Sequence, residues 1–179
     1  KITAPHEGKE LKLSDIKKIA EEITRFYNAK GFLTCRAYIP PQKIESKTIE
    51  IQVLEGKLGN VNVQGNRYFN KENITRYVKS LSGKVINYDK LKKYVTQMNL
   101  HPDRQVRAVI MPGQALGMSD LLLDVQDHFP FHVSLDVNNF GTKLTGKERY
   151  GLSMRHSNLS GRDDILATRL QSGEEVFAL

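Results

Sequence analysis

Two kinds of hydrophobic spacing follow one another at the start of the chain. Over residues 13–30 apolar side chains recur at steps of three and four, which predicts an amphipathic helix. Over residues 33–39 and 49–53 the spacing changes to two, and Pro40 and Pro41 separate these runs. The pattern predicts a β-hairpin with one apolar face, which the preceding helix covers.

The middle of the chain shows the same order with additional elements in front. Residues 58–64 alternate like a short strand, and two helical patterns follow, one after Asn70, a candidate N-cap, and one after Asn87. Alternating runs over residues 104–111 and 121–125 then predict two further strands. The predicted order is β-α-α-β-β.

A short phrase occurs in both segments at equivalent places. "RAYIPP" begins at Arg36 and "RAVIMP" begins at Arg107, an offset of 107 − 36 = 71 residues. Moved back by 71 residues, the second helix of the middle segment falls inside the first helix, and the short strand falls before residue 1. We therefore expect a duplicated unit, with residues 1–56 as a first copy that lacks its opening strand and part of its first helix, and residues 57–127 as the second.

Residues 128–179 have a different character. Alternating runs of about ten residues are joined by polar turns such as "NNFGTKLTGKE" and "SNLSGRDD", and no helix is predicted to cover their apolar face. This is the weak signature of a membrane β-barrel, although a soluble antiparallel meander fits the pattern equally well.

Composition and charge exclude few classes of protein function. The net charge is +7, and residues 57–127 hold 11 basic and 6 acidic side chains, a balance of +5 that suits an anionic partner such as nucleic acid. Several of these lysines belong to polar helix faces, where they are commonly only solvated. The single cysteine, Cys35, cannot form an internal disulfide, and a free cysteine is usually a small buried hydrophobe.

Catalytic and metal chemistry find little support in the sequence. His128 and His132 are separated by Pro130, which argues against a helical metal-binding face. Asp163 and Asp164 follow Gly161-Arg162 and are better explained as a polar turn than as a carboxylate pair. We expect no enzyme activity, no cofactor, no metal and no nucleotide.

Four phrases of the chain resemble a known family. "YNAKGFLTCRAYIPPQKI", "IQVLEGKLGNVNVQGN" and "LKKYVTQMNLHPDRQVRAVIMPGQALGMSDLLLDV" are similar to POTRA domains, which have the β-α-α-β-β order. "LDVNNFGTKLTGKERYGLSMRHSNLSGRDDILATRL" resembles the opening barrel strands of outer-membrane transporters of two-partner secretion, the TpsB type. The resemblance implies an α+β fold of two tandem POTRA domains, the first truncated, followed by the first antiparallel strands of a membrane β-barrel at residues 128–179.

The resemblance also implies a function for the parent protein. It would secrete or activate a haemolysin- or adhesin-type exoprotein by recognising its N-terminal secretion domain, with residues 1–127 in the periplasm of a Gram-negative cell and the barrel in outer-membrane lipid. The family's long loop with an Arg-Gly-Tyr/Phe motif is absent from these residues, so transport belongs to the parent protein. The alternatives are a barrel-assembly insertase of the same fold and a soluble, basic nucleic-acid-binding protein.

Strand edges are the candidate binding sites. A sheet covered by helices on one face leaves edges that accept an extended peptide as an added strand. In POTRA domains this edge is the strand after the second helix. The predicted partner-binding residues are therefore the following: Leu33, Thr34, Cys35, Arg36, Ala37, Tyr38 and Ile39 in the first copy, and Arg104, Gln105, Val106, Arg107, Ala108, Val109 and Ile110 in the second.

Overall fold

The computed structural model describes residues 3–43, 48–142 and 146–173. Within these ranges its helices are α1 (Leu13–Ala29), α2 (Lys71–Thr75) and α3 (Tyr88–Met98). The strands are β1 (Arg36–Tyr38), β2 (Gln52–Leu54), β3 (Lys57–Gln64), β4 (Arg104–Pro112), β5 (Met118–Asp127), β6 (Phe131–Asn138), β7 (Arg149–His156) and β8 (Leu166–Gly173). They form a β1-β2 ribbon, a sheet of order β3-β5-β4 and a sheet of order β6-β7-β8.

Helix α1 and the antiparallel β1-β2 ribbon confirm the helix-then-hairpin prediction for the first segment. The apolar stripe of the helix buries Ile16, Ile19 and Ala20, and the ribbon buries Ala37. Strand β1 is shorter than the predicted run over residues 33–39. Leu33, Thr34 and Cys35 precede it, because the Cys35 N–H donates to the Phe32 carbonyl over 3.1 Å and closes a turn there.

The middle segment has the predicted β-α-α-β-β order. β5 lies at the centre of its sheet, parallel to β3 and antiparallel to β4. The helices begin after Asn70 and Asn87, as predicted, but α2 is short and is followed by a 3-10 turn at Lys79–Leu81. The core of this segment contains Leu58, Phe69, Ile74, Val78, Leu91, Met98, Val106, Leu121, Leu123 and Val125.

A carboxylate fixes the turn that leads from β3 to α2. The side chain of Asp127, the last residue of β5, accepts the backbone N–H groups of Arg67, Tyr68 and Phe69 at 2.8–3.0 Å. Three backbone donors that the turn would otherwise leave unpaired are thereby satisfied. The turn brings Phe69, which is 1% exposed, into the core.

The ribbon and the middle sheet are joined closely. Only Glu55 and Gly56 separate β2 from β3. The Gly56 carbonyl accepts from the Thr34 hydroxyl at 3.2 Å and from the Ile86 N–H at 3.0 Å. Beyond α1, the Gly31 carbonyl accepts the Tyr88 N–H at 2.8 Å. These bonds tie the start of α3 to the end of α1 as well as to the connecting residues.

The third sheet is an antiparallel meander, as the alternation predicts. Its apolar side chains lie on one face and are largely exposed, with Leu135 at 80% and Val137 at 67%. On the other face the Arg169 guanidinium reaches the Asp136 carboxylate at 2.9 Å across Gly151 of the central strand. Residues 143–145, between β6 and β7, lie outside the described ranges. Among the helices of those ranges, none is both long and apolar enough to cross a membrane.

Candidate functional site

β4 forms one edge of the middle sheet. All seven of its predicted binding residues, Arg104 to Ile110, lie in the strand, which pairs with β5 on one side. The side chains of Gln105, Arg107 and Val109 are exposed, whereas Arg104 and Val106 are buried. In the first segment, Arg36, Ala37 and Tyr38 form β1, and Ile39 follows it. The two predicted sets thus lie in separate sheets.

The hydrogen bonds of Asn99 reveal which backbone groups of β4 point away from β5. The Asn99 Oδ1 accepts the Val106 N–H at 2.6 Å, and the Asn99 Nδ2 donates to the Val106 carbonyl at 3.0 Å. In an antiparallel ladder, the backbone N–H and C=O groups of successive residues alternate: those of one residue bond the neighbouring strand, and those of the next point away from it. The backbone N–H and C=O groups of Val106 therefore point away from β5, and so do those of Ala108 and Ile110. We call the outward N–H and C=O groups of Ala108 and Ile110 the open window.

The open window has defined limits within the described residues. On one side the Asn99 amide occupies the position that a partner strand would take at Val106. On the other side Pro112 has no N–H to donate. Beside the window, partly buried apolar side chains pack against the core and line the helix side of the edge: Tyr94, Val95, Ala108 and Ile110.

The edge at β1 has a different arrangement. The Thr24 hydroxyl of α1 accepts the Ala37 N–H at 3.0 Å and donates to the Ala20 carbonyl at 2.9 Å. A groove of about 620 Å³ runs between α1 and β1 and is lined by Thr24, Arg36, Ala37 and Ile39 among others. The outward N–H of the central β1 residue is thus already bonded within the chain.

The first residue of β4 takes part in a contact between the middle sheet and the meander. The Arg104 guanidinium, whose side chain is 0% exposed, meets the Asp163 carboxylate at 2.8 and 3.1 Å. The Tyr77 hydroxyl also donates to that carboxylate at 2.8 Å. Arg104 further donates to the Met98 carbonyl and lies 5.1 Å from the Phe69 ring centroid. Its side chain therefore has an internal role, while its backbone belongs to the edge.

A second part of the contact involves histidine. The His101 Nε2 lies 2.6 Å from the carbonyl of Ser157, which is fully buried, and its Nδ1 accepts the Asp103 N–H. The accepting role of Nδ1 assigns the proton to Nε2, which then donates to Ser157. His132 of β6 lies 2.7 Å from the Asp103 carboxylate. We call Tyr77, His101, Arg104, Ser157 and Asp163 the junction cluster.

Two carboxyl groups near this contact have shifted pKa values. Burial opposes ionisation of Asp163, but hydrogen bonds from Arg104 and Tyr77 outweigh it and hold the pKa of this carboxyl below its ordinary value. Burial likewise opposes ionisation of Asp103, while Ser157 and His132 stabilise the ionised form and lower its pKa. Both groups therefore act as anions at neutral pH.

Sequence reasoning missed the residues that shape these sites. It explained Asp163 only as part of a polar turn, which the 157–165 connection between β7 and β8 confirms, and it assigned no role to Asn99 or Thr24. The sequence clue to Asp163 is its position after Gly161-Arg162, where a turn is expected. The φ of Asp163 is +63°, in the left-handed region, which aspartate tolerates better than most residues.

The remaining sequence candidates have ordinary environments. Cys35 is 2% exposed, and burial raises the pKa of its thiol, as in a structural cysteine rather than a nucleophile. His132 contacts Asp103, whereas the backbone N–H of His128 donates to the Asp103 carbonyl. Over the described part of the chain no group of three metal-ligating side chains occurs.

Comparison with known proteins shows what the chain is similar to. The family model described as "POTRA domain, ShlB-type" matches residues 1–56, and the model "Haemolysin secretion/activation protein ShlB/FhaC/HecB" matches residues 117–175. Both models describe the same kind of protein. Residues 1–56 and 117–175 are therefore similar to proteins of the ShlB/FhaC/HecB type.

Related proteins match most of the chain. The heme/hemopexin transporter protein HuxB of Haemophilus influenzae is 31% identical over 94% of the chain. The outer membrane transporter CdiB of Dickeya dadantii is 27% identical over 91%. The chain spans only 30% and 29% of the lengths of these two relatives.

A solved structure supports the fold. CdiB from Escherichia coli superimposes with a TM-score of 0.79 over 95% of the chain and 32% of the CdiB chain, at 23% sequence identity. The mixed α and β, POTRA-like fold is therefore common to both proteins.

Proposed function

We propose that this chain is the substrate-recognition region of an outer-membrane transporter that secretes a partner exoprotein by two-partner secretion. Residues 1–56 and 57–127 would be two POTRA domains in the periplasm, and residues 128–179 would belong to the first strands of the barrel. The parent protein would recognise the N-terminal secretion domain of a haemolysin- or adhesin-type exoprotein. The names of HuxB and CdiB as transporters support this assignment.

The observation that carries the proposal is the free edge of β4. An unfolded exoprotein offers backbone donors and acceptors along its whole length, and a strand edge can bind these groups without requiring one sequence. The exposed side chains of Gln105, Arg107 and Val109 would then contribute selectivity. This recognition needs neither nucleotide nor cofactor nor catalytic residue.

The exposed apolar face of the meander supports a lipid-facing role for the third segment. Val133, Leu135 and Val137 pair with Met154, Leu152 and Tyr150 across β6 and β7, so that all six side chains lie on one face. A contiguous apolar face of this kind is costly in water and favourable against hydrocarbon. The opposite face carries polar residues such as Asp136 and Arg169.

The test uses a proline at the edge. The Ala108 N–H points away from β5, so Ala108→Pro removes one outward donor without removing a bond of the sheet. The probe is the N-terminal secretion domain of a haemolysin-type exoprotein, immobilised for a pull-down. We expect Ala108→Pro to reduce capture at least tenfold, with an unchanged circular dichroism spectrum. Leu116→Ser, at an exposed turn residue beyond β4, serves as the control and should capture normally.

Equal capture by the wild-type chain and Ala108→Pro would contradict recognition through β4. Salt-dependent binding of DNA or RNA by residues 57–127, with no capture of the exoprotein, would instead favour the nucleic-acid alternative. Capture of unfolded outer-membrane proteins in preference to the exoprotein would favour a barrel-assembly insertase.

A further inference from the structure

The two repeats close their edges at different places. Under the offset of 71 residues, Ala37 of β1 corresponds to Ala108 of β4. In the first repeat the Ala37 N–H is bonded by the Thr24 hydroxyl. The residue of the second repeat that corresponds to Thr24 is Val95, which lies on α3 and has no hydroxyl.

From this comparison we infer that the residue pair Thr24 and Val95 decides which edge accepts a partner strand. Thr24 closes β1 at its central residue, and Val95 leaves the open window of β4 available. This inference rests on the proposed function, because it names the edge at which that function is performed. The ligand is an extended segment whose backbone supplies donors and acceptors to Ala108 and Ile110.

The hydrogen-bonding capacity of the two edges supports the inference. The open window offers two N–H and two C=O groups, which suffice for four bonds to an added strand of about five residues. At β1 the ribbon is three residues long, and its central outward donor is already satisfied. A strand added there would have to break the bond from the Ala37 N–H to Thr24, while the Thr24 hydroxyl would keep its bond to the Ala20 carbonyl.

Side chains beside the open window define the chemistry of the ligand further. Tyr94, Val95 and Ile110 are partly buried apolar residues on the helix side of the edge. The face away from the helices carries Arg107, and residues 57–127 have a net charge of +5 from 11 basic and 6 acidic side chains. An alternating segment with apolar residues toward α3 and neutral or acidic residues toward solvent fits both faces.

The experiment exchanges the two nearly isosteric side chains in the full chain. Val95→Thr introduces a hydroxyl where the repeat places one beside the Ala108 N–H, and Thr24→Val removes the hydroxyl from the Ala37 N–H. The probe is a synthetic nine-residue peptide of alternating valine and threonine with a glutamate at each end. Its control is the same peptide N-methylated at alternate residues. Thr96→Val, an exposed substitution on α3, is the control variant.

Two readouts separate the inference from the proposed function. Without peptide, amide hydrogen exchange measured by NMR should be slow at Ala37 and fast at Ala108, and Val95→Thr should slow Ala108. With peptide, the wild type should gain protection at Ala108 and Ile110. Val95→Thr should bind roughly tenfold more weakly, which corresponds to about one lost hydrogen bond. Thr24→Val should gain peptide-induced protection at Ala37, and Thr96→Val should match the wild type.

Each contrary result has one meaning. Equally slow exchange at Ala37 and Ala108 in the free chain would overturn the inference, whatever the peptide does. Peptide-induced protection at β1 rather than β4 would overturn it while leaving recognition by strand addition intact. No protection by peptide or by exoprotein at any edge, with the expected pattern in the free chain, would instead refute the proposed function.

Discussion

Arg104 and Asp163 are 59 positions apart and form a two-bonded ion pair, with distances of 2.8 and 3.1 Å, between the first residue of β4 and the turn after β7. The guanidinium is fully buried, and the side chain of Asp163 is 10% exposed. The pair links the β4 edge of the middle sheet to the meander. Since Asp163 also accepts from Tyr77, removing the carboxylate would leave several buried donors without their partner.

Loss of this carboxylate should be strongly destabilising. Asp163→Asn keeps a residue that tolerates the left-handed backbone, so the change tests the charge rather than the conformation. We expect the free energy of unfolding to fall by about 3 kcal/mol, because a buried arginine is left uncompensated. Urea unfolding followed by circular dichroism measures it, since the chain has no tryptophan. The exposed Glu21–Arg25 pair at 3.7 Å is the control, and Glu21→Gln should cost under about 0.5 kcal/mol. Equal costs would contradict the role of the buried pair.

Asp103 and Asp163 should make stability depend on pH in the acid range. The folded chain lowers the pKa values of Asp103 and Asp163, so their contribution is present above the unfolded pKa and is lost as pH falls through the folded pKa. From these two groups we expect little change between about pH 7 and pH 5 and a progressive loss below about pH 4. Asp163→Asn should flatten the acid limb when unfolding is repeated across this range. An acid limb that Asp163→Asn leaves unchanged would disprove the contribution of Asp163.

Alanine substitutions at two glycines should distinguish the cost of backbone strain from the cost of steric overlap. Gly65 and Gly83 both have positive φ, +79° and +71°. A Cβ at Gly65 would lie 2.4 Å from the Val125 carbonyl oxygen, whereas a Cβ at Gly83 would meet nothing within 4 Å. Gly83→Ala should therefore cost about 1–2 kcal/mol from conformation alone. Gly65→Ala should cost at least about 1 kcal/mol more, as measured by thermal and urea unfolding. The reverse order would show that the β3–α2 turn is not held against β5.

The two helix caps of the middle segment should respond differently to alanine. The Asn87 side chain accepts the Lys90 N–H at 3.0 Å and donates to the Lys30 carbonyl at 3.1 Å, whereas Asn70 makes no side-chain cap bond. Asn87→Ala should cost about 1–2 kcal/mol, and Asn70→Ala should cost less than about 0.5 kcal/mol. Amide exchange in the first turn of α3 provides a local check, because it should accelerate only in Asn87→Ala.

Local periodicity was sufficient to predict most elements. The apolar steps of α1 and α3, and the alternation of β4 to β8, are properties of neighbouring residues and need no tertiary information. The overprediction of β1 has a local cause as well. Residues 33–35 continue the alternation, but the Cys35 N–H turns back to Phe32 instead of joining the ladder.

The residues that shape the candidate sites could not be predicted in the same way. The pairing of Arg104 with Asp163 depends on how the third sheet docks on the second, which no spacing encodes. The role of Asn99 depends on the side chain returning to Val106 seven residues later. Such bonds follow from tertiary geometry, whereas the edge position of β4 was expected from the resemblance to POTRA domains.

The Gly56 carbonyl, shared by Thr34 and Ile86, has a mechanical consequence. A pulling force on the first repeat reaches the second through the two connecting residues and, in parallel, through the bond from Tyr88 to Gly31. Because the covalent connection and the hydrogen bond share the force, the two repeats stay aligned until the hydrogen bond breaks. A polypeptide pulled along this region would therefore contact two segments that keep a fixed relative orientation, rather than two segments joined by a flexible linker.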